Sequence, residues 1–296
     1  MTLSHTDELR PWKPSTFAMA TLRGLGQIML QENALSGLLF LIGIFWGGVW
    51  MGIAAIVAAS CGTLTAMVFG YDRDEIGQGL YGFSAALVGV ALLLFLKPAA
   101  IVWLLVILGS AIASLGQHFF IRHQIPVFTL PFVLVTWAIL FAVHLLDQSI
   151  LNGSAKFQIG LDLAFAFRGY GQVIFQGSVV AGVLFFVAVV INSPIAAFYG
   201  LFASALAGLA SLFAGASAAD TALGLFSYNA VLCAIAFAGK RLIDSIWALI
   251  AVALSVAISF AMANFELVQL TFPFVAASAI SLVLRHLIQR KYDFAE

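Results

Sequence analysis

Long apolar runs separated by short polar breaks set the pattern of this chain. Residues 35–60, 80–96, 99–119 and 127–146 form such runs in the first half. Residues 179–191, 195–214, 223–238, 246–262 and 272–287 form them in the second. Each is near the ~20 residues a helix needs to cross hydrocarbon, so the pattern predicts a bundle of membrane helices. The breaks leave no room for a separate soluble domain. The first 16 residues are polar, with Asp7, Glu8, Arg10 and Lys13, and lack the apolar core of a cleavable signal peptide.

The same blocks occur twice. Residues 23–37 read RGLGQIMLQENALSG and residues 168–182 read RGYGQVIFQGSVVAG, matching in Arg, Gly, Gly, Gln, Gln and Gly at an offset of 145. That offset also aligns LYGFSAALVGVAL (80–92) with LFSYNAVLCAIAF (225–237). Near the end of each half, TLPFV (129–133) pairs with TFPFV (271–275) at an offset of 142, which implies a three-residue deletion in between. Apolar segments match by chance because few residue types fill them. Arg, Gln, Thr and Pro recurring in one order do not, so the chain is a duplication.

Composition changes the picture little and excludes a good deal. Of 296 residues, 63% are hydrophobic and 9% charged, with a mean hydropathy of +1.09; a soluble domain carries about a quarter charged residues. Thirteen Lys and Arg balance thirteen Asp and Glu, so charge favours neither an acidic nor a basic partner and no nucleic acid is expected. Cys61 and Cys233 sit in apolar runs and read as small buried hydrophobes. No zinc or haem spacing, nucleotide-binding glycine motif or nucleophile–base pair is present, so neither a cofactor, a metal nor an enzyme is expected. The histidines His5, His118, His123, His144 and His286 read as unrelated by the repeat.

Arg10 and Lys13 at one end, and Arg285, Arg290 and Lys291 at the other, favour both termini in the cytoplasm and hence an even number of spans. An odd number per half makes the repeats inverted. The residues alone fit a parallel or an inverted arrangement.

Polar residues at membrane depth need partners or a purpose. Gln27 and Gln172 occupy equivalent places in the Gly-rich block. An amide offers donors and acceptors to a small neutral solute, and serves equally to join two helices. Phe83 and Tyr228 are equivalent aromatics, with Leu87 and Leu232 one turn later on the same helix face. They read as an aromatic plate with an apolar stop, or as core. Thr129 and Thr271 precede Pro131 and Pro273, where a freed backbone and a hydroxyl make a short row of acceptors, or where a helix simply starts. Glu32 has Gly177 as its equivalent, and Asp162, Asp220 and Glu266 lie at segment edges. No acidic residue recurs in both halves within an apolar run, which favours passive conduction over proton coupling.

Taken together, the Gln-bearing block, LYGFSAAL with LFSYNAVL, and TLPF with TFPF resemble the urea transporter family from about Thr21 to His286. The resemblance implies an all-α polytopic membrane protein of two inverted repeats. Each would have about five transmembrane helices and one tilted half-helix, with a pore at the repeat interface. It divides the chain into a polar cytoplasmic tail (1–16), a first membrane repeat (17–150), a second membrane repeat (151–287) and a C-terminal tail (288–296). It further implies a homotrimer in lipid, in the cell's inner membrane, passing urea down its gradient. Carried over by position, Phe83, Leu87, Tyr228 and Leu232 frame a narrow slot. Gln27 and Gln172 lie near the outer binding positions with Leu30 and Phe175 one turn on, and Thr129 and Thr271 belong to rows of oxygen acceptors.

The chain departs from the family pattern in three places. Asn33-Ala34-Leu35-Ser36-Gly37 stands where Asn-Pro-Leu-Ser-Gly is usual, Ser84 where Asn is common, and Tyr228 where Phe is usual. An ion-coupled or passive transporter of a related small amide is the alternative. An aquaporin- or ammonium-type pore is disfavoured, because Asn192-Ser193-Pro194 occurs once and no repeat-related histidine pair is expected.

Overall fold

A computed structural model describes residues 13–126, 128–152 and 164–293, with the side chains described through residue 290. The N-terminal residues 1–12, Asp162 and residues 294–296 lie outside the described residues. The first half comprises α1 (Pro14–Gln27), α2 (Ala34–Gly47), α3 (Val49–Val68), α4 (Arg73–Gly77), α5 (Phe83–Phe95), α6 (Ala100–Arg122) and α7 (Leu130–Leu146). The second comprises α8 (Phe165–Gln172), α9 (Val179–Asn192), α10 (Pro194–Phe213), α11 (Ala218–Ala222), α12 (Tyr228–Phe237), α13 (Leu242–Asn264) and α14 (Phe272–Asp293). Helix for helix, the halves correspond.

Five helices, α3, α6, α10, α13 and α14, are long and apolar enough to cross a membrane, and α2, α5, α7, α9 and α12 are shorter apolar helices. Each half therefore holds five apolar helices in the same order. Only 33–44% of each long span is buried, and the remainder exposes side chains such as Leu104, Phe202 and Leu249. That outer surface suits hydrocarbon and not water, so this is a polytopic all-α membrane protein.

Local chemistry sets the helix ends. Asn33 Oδ1 accepts from the Leu35 and Ser36 amides at 2.8 and 3.1 Å to open α2, and Ser178 Oγ accepts from Ala181 N–H to open α9. Pro131 and Pro273 fall in the first turns of α7 and α14, where no N–H is needed, so they start helices and kink none. The apolar run over 35–60 proves to be two helices. Gly48 is extended (φ −177°, ψ 124°) and breaks the run between α2 and α3, as Ser193 does before Pro194 in the second half.

Backbone conformation carries the duplication further. Residues with positive φ fall in pairs at the two offsets: Leu30 and Phe175 (61° and 60°), Gln124 and Glu266 (both 54°), Phe128 and Leu270 (49° and 45°), Gly70 and Gly215, and Gly79 and Gly224. The α7–α14 register at 142 also makes His144 and His286 equivalents, which corrects the reading of unrelated histidines. Both are exposed.

The halves meet about a two-fold axis. Phe40 of α2 packs edge-on against its own equivalent, Phe185 of α9, with centroids 5.3 Å apart and rings at 80°. Nearby, Asn192 Nδ2 donates to Gln31 Oε1 at 2.9 Å. In the reciprocal place Gly47, the equivalent of Asn192, lies against Gln176 Oε1. Equivalents touching each other, and contacts recurring with roles exchanged, are the mark of a two-fold interface.

Candidate functional site

Four left-handed turns, two from each half, carry or adjoin several of the candidate residues. The first follows α1. Gln31 N–H reaches back to Gly26 C=O at 3.1 Å, and the Gln31 amide folds onto the Met29 carbonyl at 2.6 Å. The turn after α8 repeats this, with Gln176 N–H on Gly171 C=O at 2.9 Å and its side chain on Ile174 C=O at 2.9 Å. This is a Schellman-type helix end whose left-handed position, usually Gly, holds Leu30 and Phe175. A bulky residue there costs about 1–3 kcal/mol, and such strain clusters where a side chain must be aimed. Gly26 and Gly171 are required because the turn's own carbonyls, Gln31 O and Gln176 O, fold over them where a Cβ would stand.

Phe175 crosses to the other half. Its ring meets Phe132 of α7 at 6.2 Å and Phe95 of α5 at 6.5 Å, edge to face. Leu30, its equivalent, is 37% exposed. Phe95 also lines a cavity of about 720 Å³ with Trp137, His144 and Glu266.

The second pair of turns precedes α7 and α14. Phe128 and Leu270 hold positive φ, and the next residues, Thr129 and Thr271, are buried with their hydroxyl oxygens 2.6 Å apart. Two residues 142 apart in sequence thus close the centre of the molecule on one another. The Phe128 ring lies tilted at 57° against Phe274 of the opposite half, centroids 4.9 Å apart.

Phe83, Leu87, Tyr228 and Leu232 are all buried in the one large core cluster that joins the halves. The Tyr228 hydroxyl donates to Leu270 C=O at 2.6 Å. Asn229 Nδ2 donates to the same carbonyl at 3.3 Å, and Asn229 Oδ1 accepts from Phe274 N–H at 3.2 Å. The first half has Phe83 and Ser84 in these places, and Ser84 turns instead to Gln117 Oε1 at 3.4 Å. The acceptor next to Thr271 is therefore occupied by protein donors through groups that Phe83 and Ser84 do not carry.

The two candidate glutamines part company. Gln27 Nε2 donates to Gln78 C=O at 3.1 Å, joining α1 to the end of α4. The Gln172 amide approaches Gly177. Both are half-buried. The residues that position these blocks were visible as repeats without a role: Arg23 Nη1 donates to Gly77 C=O at 2.9 Å, and buried Arg168 donates to Ala222 C=O at 3.3 Å, its exact counterpart in the repeat. Gln31 and Gln176, both 2% exposed, were likewise legible only as matched letters.

Comparison with known proteins adds the following. The family model described as urea transporter matches residues 18–286. The chain is 28% identical over 237 residues to a protein named Urea transporter 1 from Rattus norvegicus, covering 74% of this chain and 62% of that one. A protein of the same name from Ovis aries is 27% identical over 290 residues, covering 89% of this chain and 76% of its own length. The chain thus spans about three-fifths of the rat relative and three-quarters of the sheep one.

Proposed function

The chain belongs to the urea transporter family, and from that premise we propose that it passes urea across the membrane by channel-type facilitated diffusion. The observation that carries this reading is the buried Thr129–Thr271 pair, 2.6 Å apart at the two-fold centre. In this reading the equivalent positions Phe83 and Tyr228, with Leu87 and Leu232, frame the slot beside it. Urea is flat, neutral and rich in N–H donors. Aromatic side walls suit its faces, and a row of hydroxyl and carbonyl acceptors replaces the water it sheds. The N-termini of α7 and α14, at the threonines, add positive potential that disfavours cations. Gln27 and Gln172, with Leu30 and Phe175, form the outer ends of this path.

In the same reading the repeats, 17–150 and 151–287, are inverted in the membrane. Five apolar helices per half support this, since an odd number of spans turns the second repeat over. The protein works as a homotrimer in the inner membrane, and it is a conduit and not an enzyme.

Flux of labelled urea into proteoliposomes tests the proposal, with thiourea and acetamide as competitors. Uptake independent of sodium and proton gradients is expected. Dependence on either gradient overturns the channel and supports the ion-coupled alternative, and preference for acetamide replaces the solute. Phe83→Ala or Leu87→Ala is expected to change solute discrimination; unchanged urea selectivity in both places the filter elsewhere.

A further inference from the structure

Equivalent helix pairs differ sharply in how closely they pack. In the first half α3 and α6 are drawn together by two cross-helix hydrogen bonds, from Cys61 Sγ to Ile107 C=O at 3.3 Å and from Ser114 Oγ to Gly62 C=O at 2.9 Å. Trp103 fills the end of the seam against Trp50, with centroids 6.2 Å apart. At the corresponding positions α10 and α13 carry Leu206, Val256, Ser245 and Ile195. Leu206 and Val256, in the places of Cys61 and Ser114, can make neither bond, and Ser245 leaves the volume of an indole unfilled. The second pair makes a much smaller contact, and a crevice of about 280 Å³ opens between its helices, with Leu206, Ala248 and Val252 in its wall.

The crevice faces the membrane. Phe198, Phe202 and Leu249 on its rim are 61%, 66% and 50% exposed. Its length from Ser245 to Val252 is about 10 Å at the helical rise, directed along two membrane-crossing helices. One end is polar. The Tyr199 hydroxyl donates to Gly239 C=O at 3.0 Å and accepts from Ser245 Oγ at 2.5 Å. Immediately beyond, before the first turn of α13, Lys240 is exposed, and Arg241 and Arg285 share the Asp244 carboxylate at 3.1 and 3.7 Å, so the group carries two net positive charges. An apolar slot capped by hydroxyls and by a charge group that is positive on balance matches a chain with an anionic head.

We propose that the crevice between α10 and α13 is a binding site for one acyl chain of an anionic phospholipid, its phosphate held at Lys240 beside the net-positive Arg241–Asp244–Arg285 cluster. The first half has no such site because Trp103 occupies the equivalent space. The inference depends on membrane insertion and not on which solute the protein conducts.

Native mass spectrometry of protein recovered from vesicles of phosphatidylglycerol mixed with phosphatidylcholine tests it. The expected result is a retained phosphatidylglycerol on the wild type that is lost in Ser245→Trp, which writes the first half's plug into the second. Ala248→Phe, narrowing the slot midway, is expected to do the same and serves if Ser245→Trp fails to fold. Lys240→Gln is expected to weaken retention of phosphatidylglycerol about five-fold, the contribution of one interfacial cation. Urea flux stays at the wild-type level in all three. Undiminished lipid on folded Ser245→Trp or Ala248→Phe overturns the proposal. So does a change in the number of chains per particle, which assigns the crevice to a second copy of this chain.

Discussion

At the end of α6 the first half gathers a polar network where the second half stacks two phenylalanines. The Tyr81 hydroxyl donates to Glu75 Oε2 at 2.5 Å and lies 3.0 Å from His118 Nδ1. Arg122 pairs with the same carboxylate oxygen at 2.6 Å, and the Tyr71 ring lies flat on His118 at 3.5 Å and 6°. Tyrosine has one hydroxyl hydrogen, and it points to Glu75, so His118 Nδ1 carries the hydrogen facing the phenol oxygen. In the second half the equivalents of Tyr81 and His118 are Phe226 and Phe260, whose rings stack at 4.8 Å and 19°. Yet the glycines that set the turn, Gly79 and Gly224, have φ of 82° and 80°. The backbone of the two halves is held alike by close approaches and left-handed turns. The side chains that only fill space between helices are free to differ in chemistry, provided each set satisfies itself.

Substitutions can break or sharpen that contrast. The largest effect is expected at the shared scaffold. A methyl group at Gly37 or at its equivalent Gly182 would overlap a backbone oxygen, that of Leu22 or of Phe167. Each Gly→Ala should cost about 3 kcal/mol, the upper end of overpacking, seen as lost yield and a lowered melting temperature in detergent. A tolerant half would end the claim that the scaffolds are alike. Next comes exchange of the divergent chemistry. Phe226→Tyr puts a hydroxyl opposite Phe260 and should cost about 1–3 kcal/mol. Tyr81→Phe leaves Glu75 on Arg122 and should cost only about 1 kcal/mol. The same melting measurement separates them, and equal losses would show that the network gives the first half no separate character.

Smaller still is the reciprocal contact at the axis. Asn192→Gly copies Gly47 and removes the bond to Gln31, a loss of about 0.6 kcal/mol for a membrane-buried hydrogen bond. Gly47→Asn cannot restore symmetry in the other direction, because its side chain runs into Gln176. Smallest is Tyr228→Phe, which frees one donor from the Leu270 carbonyl. Urea has four N–H groups and acetamide two, so urea flux relative to acetamide should rise about two-fold, the low end of one hydrogen bond's net value, since Asn229 still donates to the same carbonyl. An unchanged ratio in proteoliposomes would remove that carbonyl from the conduction path.

Much of the fold was legible because membrane helices write themselves as apolar runs and because the two halves check each other. The break at Gly48 was not, since glycine between Trp46 and Val49 leaves the run apolar; the offset to Ser193-Pro194 was the available signal. The paired Phe83/Tyr228 and Thr129/Thr271 positions were legible by offset, and the hydroxyl contact across the axis was not, because nothing local encodes which halves touch. Leu30 and Phe175 do not advertise left-handed backbone, which glycine would have. The open α10–α13 seam follows from side-chain volumes at Ser245 and Leu206 that mean little until set beside Trp103 and Cys61.

A hydrogen bond between the two threonines at the axis has a direction, whereas the axis has none. One hydroxyl gives its proton and the other receives it, so the duplicated molecule is asymmetric at its centre by a single hydrogen. The receiving hydroxyl keeps its own proton to offer elsewhere. Turning both O–H bonds exchanges the roles without moving a heavy atom. In the proposed path the midpoint can therefore present its spare donor from either half, and a solute arriving carbonyl-first from one side meets the same welcome as one arriving from the other.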